Sequence, residues 1–198
     1  MTKMNSFEIL VNEDITSWDR DKILSTFFEY KEGKIEFIGK AHVASLYNTF
    51  LIGVYLELKT IVGLAARGLI LNAAKKEGLR AGKGIRKRYE KKYGKLSREK
   101  AIFIARNMLE IWSKGFGWGK FSVNFGKQGV AVSIFDSFEG DGYLKLKKEE
   151  SEVGMCWMLF GYIWGMLEGL LNLKLEGEDK MCLSKGDNYC HIELDFVE

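Results

Sequence analysis

Residues 154–198, GMCWMLFGYIWGMLEGLLNLKLEGEDKMCLSKGDNYCHIELDFVE, join an apolar helix stepped by glycines to a polar hairpin and hold all three cysteines, Cys156, Cys182 and Cys190. The spacing predicts a helix over 153–172 and two strands over 174–183 and 190–197, joined through SKGDNY. Cys182 and Cys190 flank the Gly-Asp-Asn turn, so a hairpin brings their side chains together. Cys156 near the start of the helix reaches the same place if the helix packs on its own hairpin. Zinc takes four thiolate, imidazole or carboxylate ligands. Asp179, three residues before Cys182, offers a fourth, with Glu176 and Glu178 nearby. His191 ranks below it, because the neighbour of Cys190 on a strand points to the other face. Spacing alone favours three small buried hydrophobes over a metal site.

Gly161, Gly165 and Gly169 step by four along the helix. Each costs about 0.5–1 kcal/mol in a helix interior, so three in register point to a close neighbour: another helix, a second copy or a ligand. Glu168 is the single charge between Val153 and Asn172 and reads as a solvated rim residue.

Upstream, FSVNF (121–125) and VAVSIF (130–135) around GKQG form a hairpin pattern. Residues 136–152 read as a polar connection. SREKAIFIARNMLEIWSKG (97–115) is a capped amphipathic helix with Ala101, Ile104, Ala105, Met108, Ile111 and Trp112 inward, stopped by Gly115. Residues 46–74 are helical, as one bent helix or two, with Ser45 as N-cap. KIEFI and KAHV around Gly39 read as strands. Residues 7–12 and 22–30 read as short strand-like or mixed segments. Helices in groups and strands in hairpins indicate α+β, a mostly antiparallel sheet packed against a helical layer.

Residues 75–95 hold ten Lys or Arg against two Glu, a local +8, so the rest of the chain carries −5 of the formal +3. Tyr89 and Tyr93 invite a nucleic-acid reading, but a solvated helix face or a loop is preferred, and the small net charge makes nucleic acid a disfavoured partner. GLRAGKG fails the phosphate-loop spacing, and GFGWGKF opens a strand, so neither carries a nucleotide fingerprint. Two histidines support no catalytic triad. With 46% hydrophobic residues the 198-residue chain can build a real core. An odd number of cysteines argues against a disulfide framework. The start has no apolar leader, and no uncharged run reaches the roughly 20 residues of a membrane span. A cytoplasmic protein is expected.

The combination of Cys156, the glycine-stepped helix and Cys-x-x-x-Gly-x-x-x-Cys at 182–190, with GWGKFSVNF and VSIFDSFEGDG upstream, resembles the 4-vinyl reductase domain family. The match covers residues 97–198 well and residues 1–96 in outline, as a single domain over 1–198. The resemblance implies an α+β fold related to Golgi vesicle-tethering subunits and haem-based nitric-oxide-sensing domains. It implies dimers formed through helices, and a structural Zn2+ held by Cys156, Asp179, Cys182 and Cys190. Asp179 stands where phenol-sensing activators of the family carry Glu. It further implies an apolar pocket for a small aromatic or hydrocarbon ligand between tail helix and sheet, with Trp118, Phe135, Phe138, Phe160 and Trp164 as lining residues. The expected function is ligand sensing or carriage. A tetrapyrrole vinyl reductase is the alternative, with no catalytic constellation or nucleotide motif to support it, and a nucleic-acid adaptor acting through 75–95 is the second.

Overall fold

In the computed structural model, residues 5–31, 34–38, 41–44 and 46–197 are described. The chain is α+β. Helices α1 (Ser6–Asn12) and α2 (Arg20–Phe27) precede a three-stranded antiparallel sheet of β1 (Phe28–Lys31), β2 (Lys34–Phe37) and β3 (Ala41–Val43). Helices α3 (Asn48–Val62), α4 (Ala65–Tyr93) and α5 (Arg98–Ile111) follow, and α5 runs into one wide helical turn, Trp112–Phe116. The hairpin β4 (Lys120–Phe125) and β5 (Gly129–Phe135) leads through α6 (Phe138–Lys147) and α7 (Trp157–Leu171) to β6 (Lys174–Met181) and β7 (Cys190–Val197). The second sheet runs β4-β5-β7-β6, antiparallel throughout. No described helix is long and apolar enough to cross a membrane.

Three segments differ from the sequence reading. Residues 7–12 belong to α1, because Asn5 accepts from the Phe7 and Glu8 amides while Glu8 bonds back to the Asn5 amide, a reciprocal cap that commits the turn to helix. Residues 22–27 belong to α2, capped by Asp19, with Ile23 and Phe27 buried one turn apart; only 28–31 are strand. Residues 138–147, read as polar connection, form α6 behind the N-cap Ser137. Ser45 lies outside the described residues. The helical run over 46–74 breaks at Gly63, whose φ of 63° few other residues adopt. The helix after the break continues to Tyr93 and absorbs the basic stretch up to that residue, leaving Lys95 outside.

The fold turns on the pairing of α4 with α7. A Cβ built on Gly161 would strike the Leu71 carbonyl, one on Gly165 the Lys75 carbonyl, and one on Gly169 the Leu79 carbonyl. Gly78 and Gly82 stand in the same relation to the Tyr162 and Met166 carbonyls. Both helices advance together through these contacts, so they lie parallel with backbones touching. The neighbour of the glycine stripe is therefore a helix of the same chain, not a ligand or a second copy. Glu168, read as solvated, is buried. It accepts from the Leu175 amide at 3.0 Å and the Trp164 indole at 3.2 Å and pairs with Lys75 at 3.1 Å, which latches α7 to α4 and β6.

Candidate metal centre and ligand cavity

Three devices bring the cysteines together. The hairpin β6–β7 sets Cys182 and Cys190 on facing arms, and a register shift between Asp179 and Met181 turns the chain just before Cys182. Cys156 is the N-cap residue of α7. All three thiols are buried, and their sulfurs are 3.1 Å (Cys156–Cys190), 3.5 Å (Cys156–Cys182) and 3.7 Å (Cys182–Cys190) apart. Zinc–thiolate bonds of 2.3 Å in a tetrahedron separate sulfurs by about 3.8 Å, so the trio needs only slight expansion to close on such an ion. Hydrogen-bonding groups surround the sulfurs. Ser137 Oγ lies 3.2 Å from Cys156 Sγ, Ser184 Oγ lies 3.2 Å from Cys182 Sγ, and the Leu183 amide donates to Cys190 Sγ at 3.4 Å.

The three thiols lie within hydrogen-bonding distance of one another. Hydrogen bonds from the Cys156 and Cys190 thiols push Cys182 far down. Contact with Cys182 and then Cys190, together with burial, pushes Cys156 up. Cys190 is drawn down by Cys156 but driven up by more through Cys182 and burial. A thiol thus resists ionising beside an ionised neighbour, as expected where like charges crowd. A dication reverses that resistance. The donor set is compatible with a metal.

Asp179 stands at the edge of this group. The three cysteine sulfurs lie within 4.8 Å of one another, and the Asp179 carboxylate is not among that set. A Cβ built on Gly154 would be 2.5 Å from Asp179 Oδ2 and 3.5 Å from Cys182 Sγ, so the glycine's missing side chain keeps the gap between carboxylate and thiol open. Oδ1 pairs with Arg67. Burial nonetheless raises the Asp179 carboxyl above its ordinary value, against the pull of Arg67. His191 turns away, as the strand alternation predicts, to meet Ser133 Oγ at 3.0 Å.

Two groups that sequence reasoning missed support the site. Ser137 touches Cys156. Glu139, fully buried, accepts from the Met158 and Leu159 amides at 3.0 and 2.9 Å and from the Tyr55 hydroxyl at 2.6 Å. It therefore caps α7 from another helix. Burial raises its carboxyl to about 7, although those three donors pull the other way. The available signal was Ser and Glu two residues apart before a glycine-rich turn, too short a pattern to name a distant helix end.

The five aromatic residues do not share one wall. Trp118 and Phe138, ring centres 6.0 Å apart, line a cavity of about 540 Å3 together with Phe28, Phe116, Leu51 and Met158. Phe160 and Trp164 stack on each other at 5.3 Å away from that cavity, Phe160 in the core between α7 and the second sheet and Trp164 under Lys75. Phe135 is 42% exposed and packs on Tyr189. The cavity lies between the first sheet, the start of α3, the wide turn after α5, and α6. The basic residues of α4 are partly engaged: Arg86 donates to the Leu170 carbonyl, Arg80 pairs with Glu77 and Lys92 with Glu8.

No family model matches the sequence, and no curated protein matches it significantly. Among solved structures the chain is similar to the phenol-responsive sensory domain of the transcription activator PoxR, solved with phenol, at 20% identity and TM-score 0.71 over 91% of each chain. It also aligns with trafficking protein particle complex subunit 3 from Naegleria fowleri, covalently bound to palmitic acid, at 22% identity and TM-score 0.47 over 76% of this chain and 95% of that one. A vinyl-4-reductase family protein from Methanocaldococcus jannaschii aligns at 11% identity and TM-score 0.45 over 76% and 89%. The likeness to the PoxR domain shows the fold: this chain has the architecture of that phenol-responsive sensory domain.

Proposed function

We propose that residues 1–198 form one cytoplasmic domain that binds a small aromatic or hydrocarbon ligand, with a structural Zn2+ on Cys156, Cys182, Cys190 and Asp179. The observation that carries the reading is the 540 Å3 cavity, whose lining combines Phe28, Phe116, Trp118 and Phe138 with Tyr30, Tyr47 and Asn48, a size and an aromatic content suited to a small aromatic ligand. Two of its lining residues are tied to the cysteine trio through the chain. Phe138 follows Ser137, which touches Cys156, and Met158 lies two residues beyond Cys156. Zinc in that place would supply a fixed anchor for the cavity wall, with the three thiolates and one carboxylate closing its coordination. The larger apolar cluster includes residues from Phe7 to Leu194, which supports a single domain.

The test is titration of the purified chain with phenol, toluene and naphthalene, read by tryptophan fluorescence. Saturable binding is expected. Trp118→Ala and Phe138→Ala should each weaken it about tenfold or more, since an aromatic wall contributes at least about 1.4 kcal/mol. Phe160→Leu should change it far less, because Phe160 lies outside the cavity. Binding that ignores both wall substitutions would refute the assignment. Turnover of a vinyl tetrapyrrole with a reductant would favour the reductase instead.

The proposed partner of the outer face of α3 is a second copy. Phe50, Val54, Ile61 and Leu64 are 41–70% exposed along one side of α3 and its C-terminal flank, with Glu57 the one charge on the exposed stripe. Apolar surface of that extent marks an interface, and a twofold pairing of antiparallel α3 helices would set Val54 against itself. Phe50→Glu is expected to convert dimers to monomers in sedimentation velocity. A wild-type chain that sediments as a monomer at tens of micromolar would remove the dimer.

A further inference from the structure

A second cavity, of about 520 Å3, shares no lining residue with the aromatic one. It is a trough along one face of α4. Glu77, Arg80, Ala81, Gly84, Ile85 and Arg88 line it at steps of one, three and four, a length of roughly 16 Å at 1.5 Å per residue. Leu10 of α1, Ile38 after β2 and Met108 of α5 face them across the trough. Its small residues make the room: a Cβ built on Gly84 meets nothing within 4 Å.

The charges are placed unevenly. At one end Arg80 is tied to Glu77 through Nε at 3.1 Å, and beside them the Tyr162 hydroxyl makes no hydrogen bond among the described residues. At the other end Arg88 forms no ion pair with any described residue. Its guanidinium instead lies 4.0 Å from the centre of the Phe7 ring. Partial burial works against its charge, yet a guanidinium stays protonated in proteins. One unpaired, partly desolvated guanidinium at the end of an apolar trough balances one negative charge, and its planar fork fits a carboxylate.

We propose that this trough binds an amphipathic monocarboxylate, its carboxylate on Arg88 and its apolar tail along Gly84 and Ala81 toward Tyr162. The site is separate from the aromatic cavity, and neither assignment depends on the other.

Calorimetric titration of the full chain with decanoate tests it, with decanol as the neutral arm and phenol as the probe of the aromatic cavity. One decanoate per chain is expected, bound at least tenfold more tightly than decanol. Arg88→Gln should weaken decanoate about tenfold or more and leave decanol unchanged. Gly84→Leu, which fills the trough from a position with free space, should abolish binding of both. Circular dichroism checks that it folds, and Arg88→Gln, at a partly exposed side chain, provides the independent arm. Neither variant should alter phenol binding, and Trp118→Ala should leave decanoate binding intact. No saturable decanoate binding, equal affinity for decanol, or indifference to both trough substitutions would overturn the proposal.

Discussion

Gly165→Ala is expected to cost the fold about 3 kcal/mol or more, the upper range for forcing extra atoms into a packed interior. The added carbon would overlap the Lys75 carbonyl and come within 2.7 Å of the Leu79 amide. Both obstacles are backbone, so no side chain can rotate away. The helices would have to part, and four further glycines hold them at the same separation: Gly161 and Gly169 on α7, Gly78 and Gly82 on α4. In a chain of this length each kcal/mol moves the thermal midpoint by about 2–4 °C, so a fall near 10 °C is expected in a thermal melt followed by circular dichroism. Gly68→Ala is the control. It lies in the same α4 with open space where the Cβ would go, and there the gain in helix propensity should stabilise by up to about 1 kcal/mol. Equal melting of the Gly165 and Gly68 variants would mean that α4 and α7 are not in backbone contact.

That pairing also marks where the sequence stopped being readable. The stripe on α7 declares a close neighbour, because glycine has little other reason to recur every fourth residue in an apolar helix. Its partner stripe, Ala74, Gly78 and Gly82, lies among ten basic residues, whose charge masks the four-residue step. A buried face only one small side chain wide leaves little hydrophobic periodicity. Short helices were lost for a related reason. α1 and α2 owe their ends to caps at Asn5 and Asp19, while their apolar content alone reads equally well as strand. α6 contains Gly140 and Gly142, poor helix formers. A Cβ on Gly140 would meet Leu183, and one on Gly142 would meet Asn48, so tertiary contact dictates them. The hairpins and the inner face of α5 were legible because alternation and a 3.6-residue period survive in each. For the cavity, Trp118 and Phe138 fall on its wall. Phe135, Phe160 and Trp164 do not, since aromatic spacing on a helix or strand does not tell core from lining.

Removing a metal from the cysteine centre is the second large effect expected. Elemental analysis should find one zinc per chain, and Cys182→Ala, Cys190→Ala or a strong chelator should each abolish it and lower the thermal midpoint by more than 10 °C. Were the cysteines only small buried hydrophobes, each truncation would cost roughly 1 kcal/mol, about one methylene's worth of burial, and a chelator would do nothing. The difference is large because metal binding that exists only in the folded state adds its full free energy to folding. Acid should act in the same direction. Each thiolate must take up a proton as the metal leaves, so the contribution is present at neutral pH and is lost as pH falls. Asp179 is the proposed fourth ligand. Its Oδ2 lies beside the open space left by Gly154 while Oδ1 holds Arg67, so joining an ion held by the three sulfurs would require the carboxylate to move toward them. Asp179→Ala should therefore weaken metal binding about 10- to 100-fold, whereas Arg67→Ala, which frees the carboxylate without removing it, should weaken it much less. If Asp179→Ala retains zinc as tightly as the parent chain, another group or a water closes the site, and Asp179 serves only to hold α4 against β6 through Arg67.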